Sequence, residues 1–229
     1  MRTSAQAFAD ITAALVREHD VADVLLRLVR DGADVLGVDA AAILVLAPRG
    51  SLEVLSATSH VTEELELYQS QEEEGPCVEA IRSGEGSRAV GAEELTMRWP
   101  TVGPALVAAG FRSAYGFPLR FHATTLGALN VFSRSEEPMA EDRNRLGQSL
   151  ADVASLALVQ PGEVPEHDLA QRVSAALEGR VVIERAKGVL AHLLGVDMSG
   201  AYAALLERAD QDGQSITATA HRVLSDAQR

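Results

Sequence analysis

The sequence predicts an α+β domain built on an antiparallel sheet with flanking helices, followed by a separate all-α bundle of three helices. Residues 1–160 mix amphipathic helical periodicity with short apolar runs that are typical of strands. Residues 165–226 show helical periodicity only. Between them, the segment "QPGEVPEH" at 160–167 holds two prolines and a glycine. We therefore place the domain boundary there.

The composition is that of an ordinary globular protein, with 47% hydrophobic and 23% charged residues among 229. No apolar run reaches the roughly 18 residues that a membrane span needs, and the first 20 residues lack the unbroken apolar core of a signal peptide. These features predict a cytoplasmic protein with no membrane contact. Cys77 is the only cysteine, which excludes an internal disulfide and a zinc site with two thiolates. Because the six histidines also lack metal-ligand spacing, we expect no metal and no cofactor.

The first domain opens with two helical patterns and a hairpin. Phe8, Ile11 and Leu15 recur at helical spacing, and a second amphipathic pattern runs from Asp20, a plausible N-cap, to Gly37. The apolar run "AAAILVLAP" at 40–48 predicts a buried strand. The alternating "SLEVLSAT" at 51–58 predicts its hairpin partner.

The rest of this domain also contains both helical and strand patterns. Gly75 and Pro76 split residues 63–85 into two helices. Two runs, 112–121 and 125–134, predict a second hairpin, and residues 135–158 predict a long closing helix. Helices, strands, helices, strands and a helix in this order indicate an antiparallel sheet with helices packed on it.

The first helix of the second domain carries an unusual set of residues in "RVVIERAKGVLA" at 180–191. Arg180, Glu184, Lys187 and Ala191 stand at steps of four, three and four, so they share one helix face. Gly188 costs about 1 kcal/mol relative to alanine inside a helix, and a close approach of another backbone would explain it. Two interpretations stay open from the residues alone: a solvated face with helical ion pairs, or a face that contacts phosphate and sugar.

The charge distribution leaves room for the second interpretation. The chain has a net charge of −13, which argues against general nucleic-acid binding. Residues 162–229 are nearer neutrality, however, with 10 acidic and 7 basic residues. A local cationic patch can therefore form on this domain if the acidic side chains lie elsewhere.

The second domain resembles an ANTAR domain, an RNA-binding antitermination module. The resemblance rests on "ALEGRVVIERAKGVLA", "AYAALLERA" and "ITATAHRVL", which match the family pattern at these positions: Arg180, Ile183, Ala186, Lys187, Gly188, Leu190, Ala201, Tyr202, Leu205, Ala220 and Val223. One position departs, because Leu206 stands where the family usually has arginine; Arg208 is a substitute on a different helix face. The resemblance implies binding of RNA hairpin loops, through these candidate residues: Arg180, Arg185, Lys187, Gly188, Tyr202 and Arg208. We expect the Lys187 side chain to be exposed. Tyr202 could stack on a base or pack in the core.

The first domain resembles a GAF sensor domain, through "EEGPCVEAIRSGE" at 73–85 and "SAYGFPL" at 113–119. This resemblance implies binding of an unidentified small-molecule effector, or a dimerisation platform. Candidate ligand-binding residues are Cys77, Trp99 and Tyr115. Each of these residues also has a structural interpretation. Cys77 can be a buried structural thiol rather than a redox sensor, and the two aromatic residues can pack in the core. The motifs of cyclic-nucleotide and some bilin-binding GAF domains are absent.

The combined interpretation is a transcription antitermination regulator, not an enzyme, in which a GAF-like sensor controls an ANTAR bundle that binds nascent RNA. A signalling or dimerisation scaffold with a degenerate RNA site is the alternative, favoured by Leu206. A small-molecule-modifying GAF enzyme is disfavoured by the single cysteine. Apolar stripes predict a homodimer through parallel helices that flank the sensor domain. The stripes lie in the N-terminal pattern and at Leu146, Leu150, Val153, Leu156 and Ala157, and the spacing continues at Val173, Leu177 and Val181.

Overall fold

A computed structural model of the chain describes residues 6, 9, 12–13, 21–48, 50–159 and 169–227. The first unit contains α1 (Val21–Leu36), β1 (Ala40–Leu46), β2 (Leu52–Ala57), α2 (His60–Glu72), α3 (Pro76–Ser83), β3 (Ser87–Val90), α4 (Ala92–Arg98), α5 (Val102–Ala108), β4 (Ser113–Phe121), β5 (Thr124–Ser133) and α6 (Glu141–Val159). The second contains α7 (Leu169–Leu194), α8 (Met198–Asp212) and α9 (Ile216–Ala227).

The strands of the first unit form one antiparallel sheet in the order β2-β1-β5-β4-β3. Both predicted hairpins, β1–β2 and β4–β5, are confirmed. Their inner strands β1 and β5 pair along their lengths, which joins the two hairpins. Gly127 is required at this junction, because a Cβ there would lie 2.0 Å from the carbonyl oxygen of Leu44.

The sheet is covered on both faces, so its strands are apolar on both sides. Alternate residues of β1, such as Ile43, pack with α1 and α6, while the residues between them, such as Leu44, face the α3 side. Leu95 and Trp99 close the second face at its β3 edge together with α5. The first unit therefore has three layers, with α1 and α6 below the sheet and α2 to α5 above it.

The sequence-based element assignments are largely confirmed, with three omissions. The structure adds β3, α4 and α5, which the residue pattern did not reveal because each has only four to seven residues. The closing helix begins at Glu141 rather than at 135. The Phe8, Ile11 and Leu15 pattern, like the 160–167 boundary, lies outside the described residues.

The three predicted helices of the second unit pack around one apolar core that includes Ile183, Ala186, Leu190, Leu205 and Ala220. Asp197 caps the start of α8 by accepting a hydrogen bond from the backbone of Gly200 at 2.8 Å. Gly213 ends α8 in a left-handed conformation. Short connections of this kind bring the helices back on one another as a bundle.

The bundle is docked on the first unit rather than held apart from it. Helix α7 packs against α1, α6 and β2, α8 contacts α2, and α9 contacts α1. The apolar core is continuous across this contact. Asp23 of α1 also accepts a 2.6 Å hydrogen bond from the backbone of Ile216 at the start of α9.

By length and apolar character, no single helix in the described ranges could cross a membrane, although the bent pair Val173–Leu194 and Met198–Asp212 meets the same test jointly.

Candidate nucleic-acid interface

Two of the cations predicted to contact RNA, Arg180 and Lys187, lie together on α7 and face the first unit. Both donate to one carboxylate, Glu63 in the first turn of α2. Lys187 Nζ lies 2.7 Å from Oε2 of Glu63, and Arg180 binds the other oxygen, Oε1. Lys187 also donates to Glu184 at 2.9 Å. We call Glu63, Arg180, Glu184 and Lys187 the interdomain ion cluster.

Tyr202 of α8 completes this arrangement. The Lys187 ammonium lies over the Tyr202 ring, 4.9 Å from its centroid, in cation–π geometry. The Tyr202 hydroxyl donates to the backbone carbonyl of Ala57 at the end of β2, at 3.1 Å. Three of the six predicted RNA-binding residues therefore converge on one patch, and that patch is the contact with the first unit.

The local structure of α2 explains why Glu63 stands where it does. Ser59 is the N-cap, and its side chain accepts a hydrogen bond from the backbone of Thr62. Glu63 follows in the first turn, where the positive end of the helix dipole favours a carboxylate. His60 supplies a further contact, 3.1 Å from Oε2 of Glu63. The sheet fixes the start of α2 because β2 ends at Ala57.

The charges of the cluster depend on one another. Burial alone would raise the pKa of Glu63, but the hydrogen bond and charge of Lys187, with Arg180 and His60, lower that pKa to about 2. The pKa of Glu184 is raised, by burial and by the nearby Glu63 charge, against the opposing effect of Lys187. Glu63 is therefore the carboxylate that the cations stabilise as an anion, and Glu184 is the weaker partner.

The structure corrects one expectation and divides the predicted site. Lys187 was expected to be exposed, but its side chain is fully buried, because α2 and Tyr202 cover it. Arg185 and Gly188 lie on a different, exposed face of α7, and Arg208 is exposed on α8. A Cβ on Gly188 would meet nothing within 4 Å, so no backbone approaches it in this conformation. Its role in RNA contact stays a prediction.

Leu206, which stands where the family pattern has arginine, lies in a different environment from Arg208. Leu206 is half-buried and packs against the continuous core, whereas Arg208 points to solvent two residues later. The two positions therefore lie in different environments, as their helical spacing predicts.

The three candidate residues of the sensor domain are not brought together. Cys77 is buried among small residues on the α3 side of the sheet, and Trp99 is buried near β3, donating to Glu79 at 3.2 Å. Tyr115 lies on the opposite face of the sheet, where its hydroxyl accepts a hydrogen bond from the backbone of Met139 at 2.7 Å. A single ligand site in this conformation therefore cannot include all three.

The first unit also contains a buried polar cluster that the sequence pattern did not reveal. Glu66, fully buried one turn after Glu63 on α2, accepts from Asn130 Nδ2 at 2.8 and 2.9 Å and from Gln69 Nε2 at 3.0 Å. Burial raises the pKa of Glu66 to about 8, although Asn130 opposes this. Burial and the Glu66 charge also raise the pKa of the Cys77 thiol well above its usual value, which disfavours a reactive thiolate. The apolar residues within "EELELYQ" do not mark this face, because Leu67 is exposed while the buried positions of α2 are Thr62, Glu63, Glu66 and Gln69.

Comparisons with known proteins agree with this architecture. The family model for the GAF domain matches residues 18–159, and the model for the ANTAR domain matches residues 171–224. No match is found among curated protein sequences.

Solved structures of GAF domains resemble the first unit. The GAF domain of a phosphoenolpyruvate-protein phosphotransferase from Coxiella burnetii superposes with a TM-score of 0.56 at 15% identity, covering 74% of this chain and 96% of that one. The GAF domain region of a putative membrane protein from Geobacter sulfurreducens gives 0.52 at 20% identity, covering 66% and 97%. At these identities the similarity establishes the fold alone.

The matched ranges correspond to the two structural units, the first to the sheet with its helices and the second to α7 through α9. GAF domains are sensor domains, and ANTAR domains form the RNA-binding antitermination regulator family. The chain belongs to the regulatory proteins that join a GAF domain to an ANTAR domain.

Proposed function

We propose that this protein is a transcription antitermination regulator whose ANTAR bundle binds hairpin-loop RNA in nascent transcripts under the control of its GAF domain. The observation that carries this proposal is the convergence of Arg180, Lys187 and Tyr202 on one patch. Two cations beside an aromatic ring suit a backbone phosphate and an unstacked base. The carboxylate that neutralises this patch most directly, Glu63, belongs to the other domain.

The sensor role follows from the GAF assignment, and we propose that an unidentified small molecule is its effector. The regulator carries out no chemistry on a substrate in this proposal. The raised pKa of the Cys77 thiol and its complete burial support control by a ligand rather than by thiol oxidation.

Replacing Arg180 and Lys187 together by glutamine is expected to abolish binding of hairpin-loop RNA. Each lost phosphate contact should also lower the slope of log affinity against log salt concentration, by about 0.7 for single-stranded RNA. Fluorescence anisotropy with RNA selected from a randomised hairpin-loop library, at several salt concentrations, measures both quantities.

The matched control is Arg82→Gln, which removes an exposed cation of α3 that pairs with Glu73 in the sensor domain. This control should leave RNA affinity unchanged. Wild-type affinity and slope in the double variant would rule out the patch as the RNA site.

A scaffold with a degenerate RNA site remains the second candidate, because Leu206 stands at the usual arginine position and packs against the core. This candidate predicts that neither the wild-type chain nor any variant binds RNA. Binding of any selected hairpin by the wild-type chain would decide against it.

We also propose that the protein is a homodimer. The stripe on α6 on which this expectation depended is mostly used inside the chain, since Leu150 and Ala157 are buried in the sensor core. Leu156 remains 52% exposed and Val153 is half-buried, so the outer edge of α6 is the surface to test.

Sedimentation of the full chain at tens of micromolar should give a dimer, and Leu156→Glu should shift it to monomer, because a charge is costly at an apolar interface. Leu67→Glu, at an equally apolar exposed position on α2, is the control. A monomeric wild-type chain at this concentration would contradict the proposal.

A further inference from the structure

We propose that Glu63 acts as a tethered phosphate mimic that closes the RNA-binding patch, so that the docked conformation is the RNA-free, inhibited state of the regulator. This inference rests on the proposed RNA function and adds how the same site is regulated. Glu63 occupies the two cations and, with the end of β2, covers the tyrosine that RNA would need. RNA and the sensor domain therefore compete for one surface.

The geometry of Glu63 supports the comparison with phosphate. Its two oxygens are divided between the two cations, Oε1 to Arg180 and Oε2 to Lys187. A phosphate group in a nucleic-acid backbone likewise presents two free anionic oxygens, and charge-assisted hydrogen bonds of this kind are the strong ones. The carboxylate thus satisfies both cations in the way that a bound strand would.

The docked contact combines polar interactions with a shared apolar core. Besides the ion cluster, it contains the hydrogen bond from Tyr202 to Ala57 and the one from Ile216 to Asp23. A cavity of about 30 Å³ remains beside Glu63, lined by residues of both domains, among them Ser56, Arg180 and Tyr202. Undocking would expose these polar groups to water, which can solvate them. It would also expose the apolar surface that the two domains share.

Helix α2 links this contact to the interior of the sensor domain. Glu63 faces the bundle, while Glu66 and Gln69, one and two turns later, are buried beside Asn130 of β5. A displacement of α2 on effector binding would therefore move Glu63 relative to Arg180 and Lys187. The sensor domain can control RNA access in this way without contacting RNA.

The test uses the full chain and the isosteric variant Glu63→Gln. We expect this variant to bind hairpin-loop RNA roughly 5- to 150-fold more tightly than the wild type, the usual range of coupling between two sites. The control is Glu64→Gln on the same helix, which removes the same charge from an exposed side chain that pairs with His60. This control should change RNA affinity little, so a gain confined to Glu63→Gln cannot come from net charge.

A second readout needs no RNA, because Lys187 is the only lysine in the chain. Acylation of its buried amine, followed by peptide mass spectrometry, reports how often the patch opens. Labelling should be slow in the wild type and faster in Glu63→Gln. It should also be faster in Tyr202→Phe, which loses the hydrogen bond to Ala57 but keeps the ring and both ion pairs of Lys187.

The outcomes separate the two proposals. Wild-type RNA binding with no gain in Glu63→Gln would overturn the phosphate-mimic inference and leave the RNA function standing. Rapid labelling of Lys187 in the wild type would also overturn the inference, since the patch would then be open. A third outcome is that labelling is slow in the wild type and faster in both variants, but none of the three proteins binds RNA. This outcome would overturn the RNA function and, with it, the inference of an inhibited state. The ion cluster would then be only a contact between domains.

Discussion

Glu66→Gln is expected to raise the free energy of unfolding of the sensor domain by roughly 4 kcal/mol at pH 8 and to leave it nearly unchanged at pH 4.5. Glu66 is fully buried, and burial raises its pKa from 4.5 to about 8. Each pKa unit corresponds to about 1.4 kcal/mol. The glutamine keeps the shape of the side chain and cannot ionise.

The direction of the effect follows from proton binding in the two states. Below pH 4.5 the carboxyl is protonated in both folded and unfolded chains, so the stabilisation from the neutral form is fully present. Between pH 4.5 and 8 the unfolded chain loses this proton while the folded chain retains it, so stability falls as pH rises. Above pH 8 both states are ionised and the loss is complete.

Urea unfolding followed by fluorescence of Trp99, the only tryptophan and part of the sensor domain, gives the stability at each pH. The difference between variant and wild type isolates Glu66 from other titrating groups. Glu72→Gln, at an exposed position of the same helix, should show no such difference. If the stability of Glu66→Gln changed with pH in parallel with that of the wild type from pH 4.5 to 8, the raised pKa of the buried Glu66 carboxyl would be contradicted.

Local sequence pattern predicted the hairpins and the long helices but not their assembly. Strand alternation and turn residues are local signals, so β1–β2 and β4–β5 could be read directly. The pairing of β1 with β5 depends on Gly127 lying beneath Leu44, more than 80 positions away, which no local period encodes. Helices α4 and α5 are too short for a period to show.

The candidate site shows the same division. Helical spacing correctly placed Arg180, Glu184 and Lys187 on one face, and one helical ion pair on that face, between Glu184 and Lys187, is present. Arg180 pairs instead with Glu63, over 100 positions upstream. A cationic helix face predicts a partner of opposite charge, but only the tertiary structure decides whether that partner is solvent, RNA or another domain.

Lys187→Met is expected to lower the free energy of unfolding by roughly 2–4 kcal/mol. Breaking a buried ion pair from one side typically costs about 3–5 kcal/mol, because it leaves a charge in the interior without its partner. The loss is somewhat smaller here, since Arg180 and His60 still contact Glu63. Methionine retains most of the apolar stem that packs under Tyr202, so the change mainly removes charge.

The double variant with Glu63→Gln separates this charge effect from lost packing. Removing Glu63 as well eliminates the uncompensated carboxylate and leaves Arg180 near Glu184 as the remaining pair of opposite charges. We therefore expect the double variant to be more stable than Lys187→Met alone, with a coupling energy of about 1–3 kcal/mol in a double-mutant cycle. Equal or lower stability of the double variant would mean that packing, and not the ion pair, accounts for the loss.

The measurement combines far-ultraviolet circular dichroism of the full chain, which follows both domains, with Trp99 fluorescence, which follows the sensor domain alone. Arg185→Met is the matched control, because it removes a cation from an exposed position of the same helix and should alter stability by no more than about 0.5 kcal/mol. Because Lys187 joins the two domains, its loss should separate the two signals: the bundle should unfold at lower urea while the Trp99 transition shifts less. Coincident and unshifted transitions in Lys187→Met would show that the cluster contributes little to holding the bundle on the sensor domain.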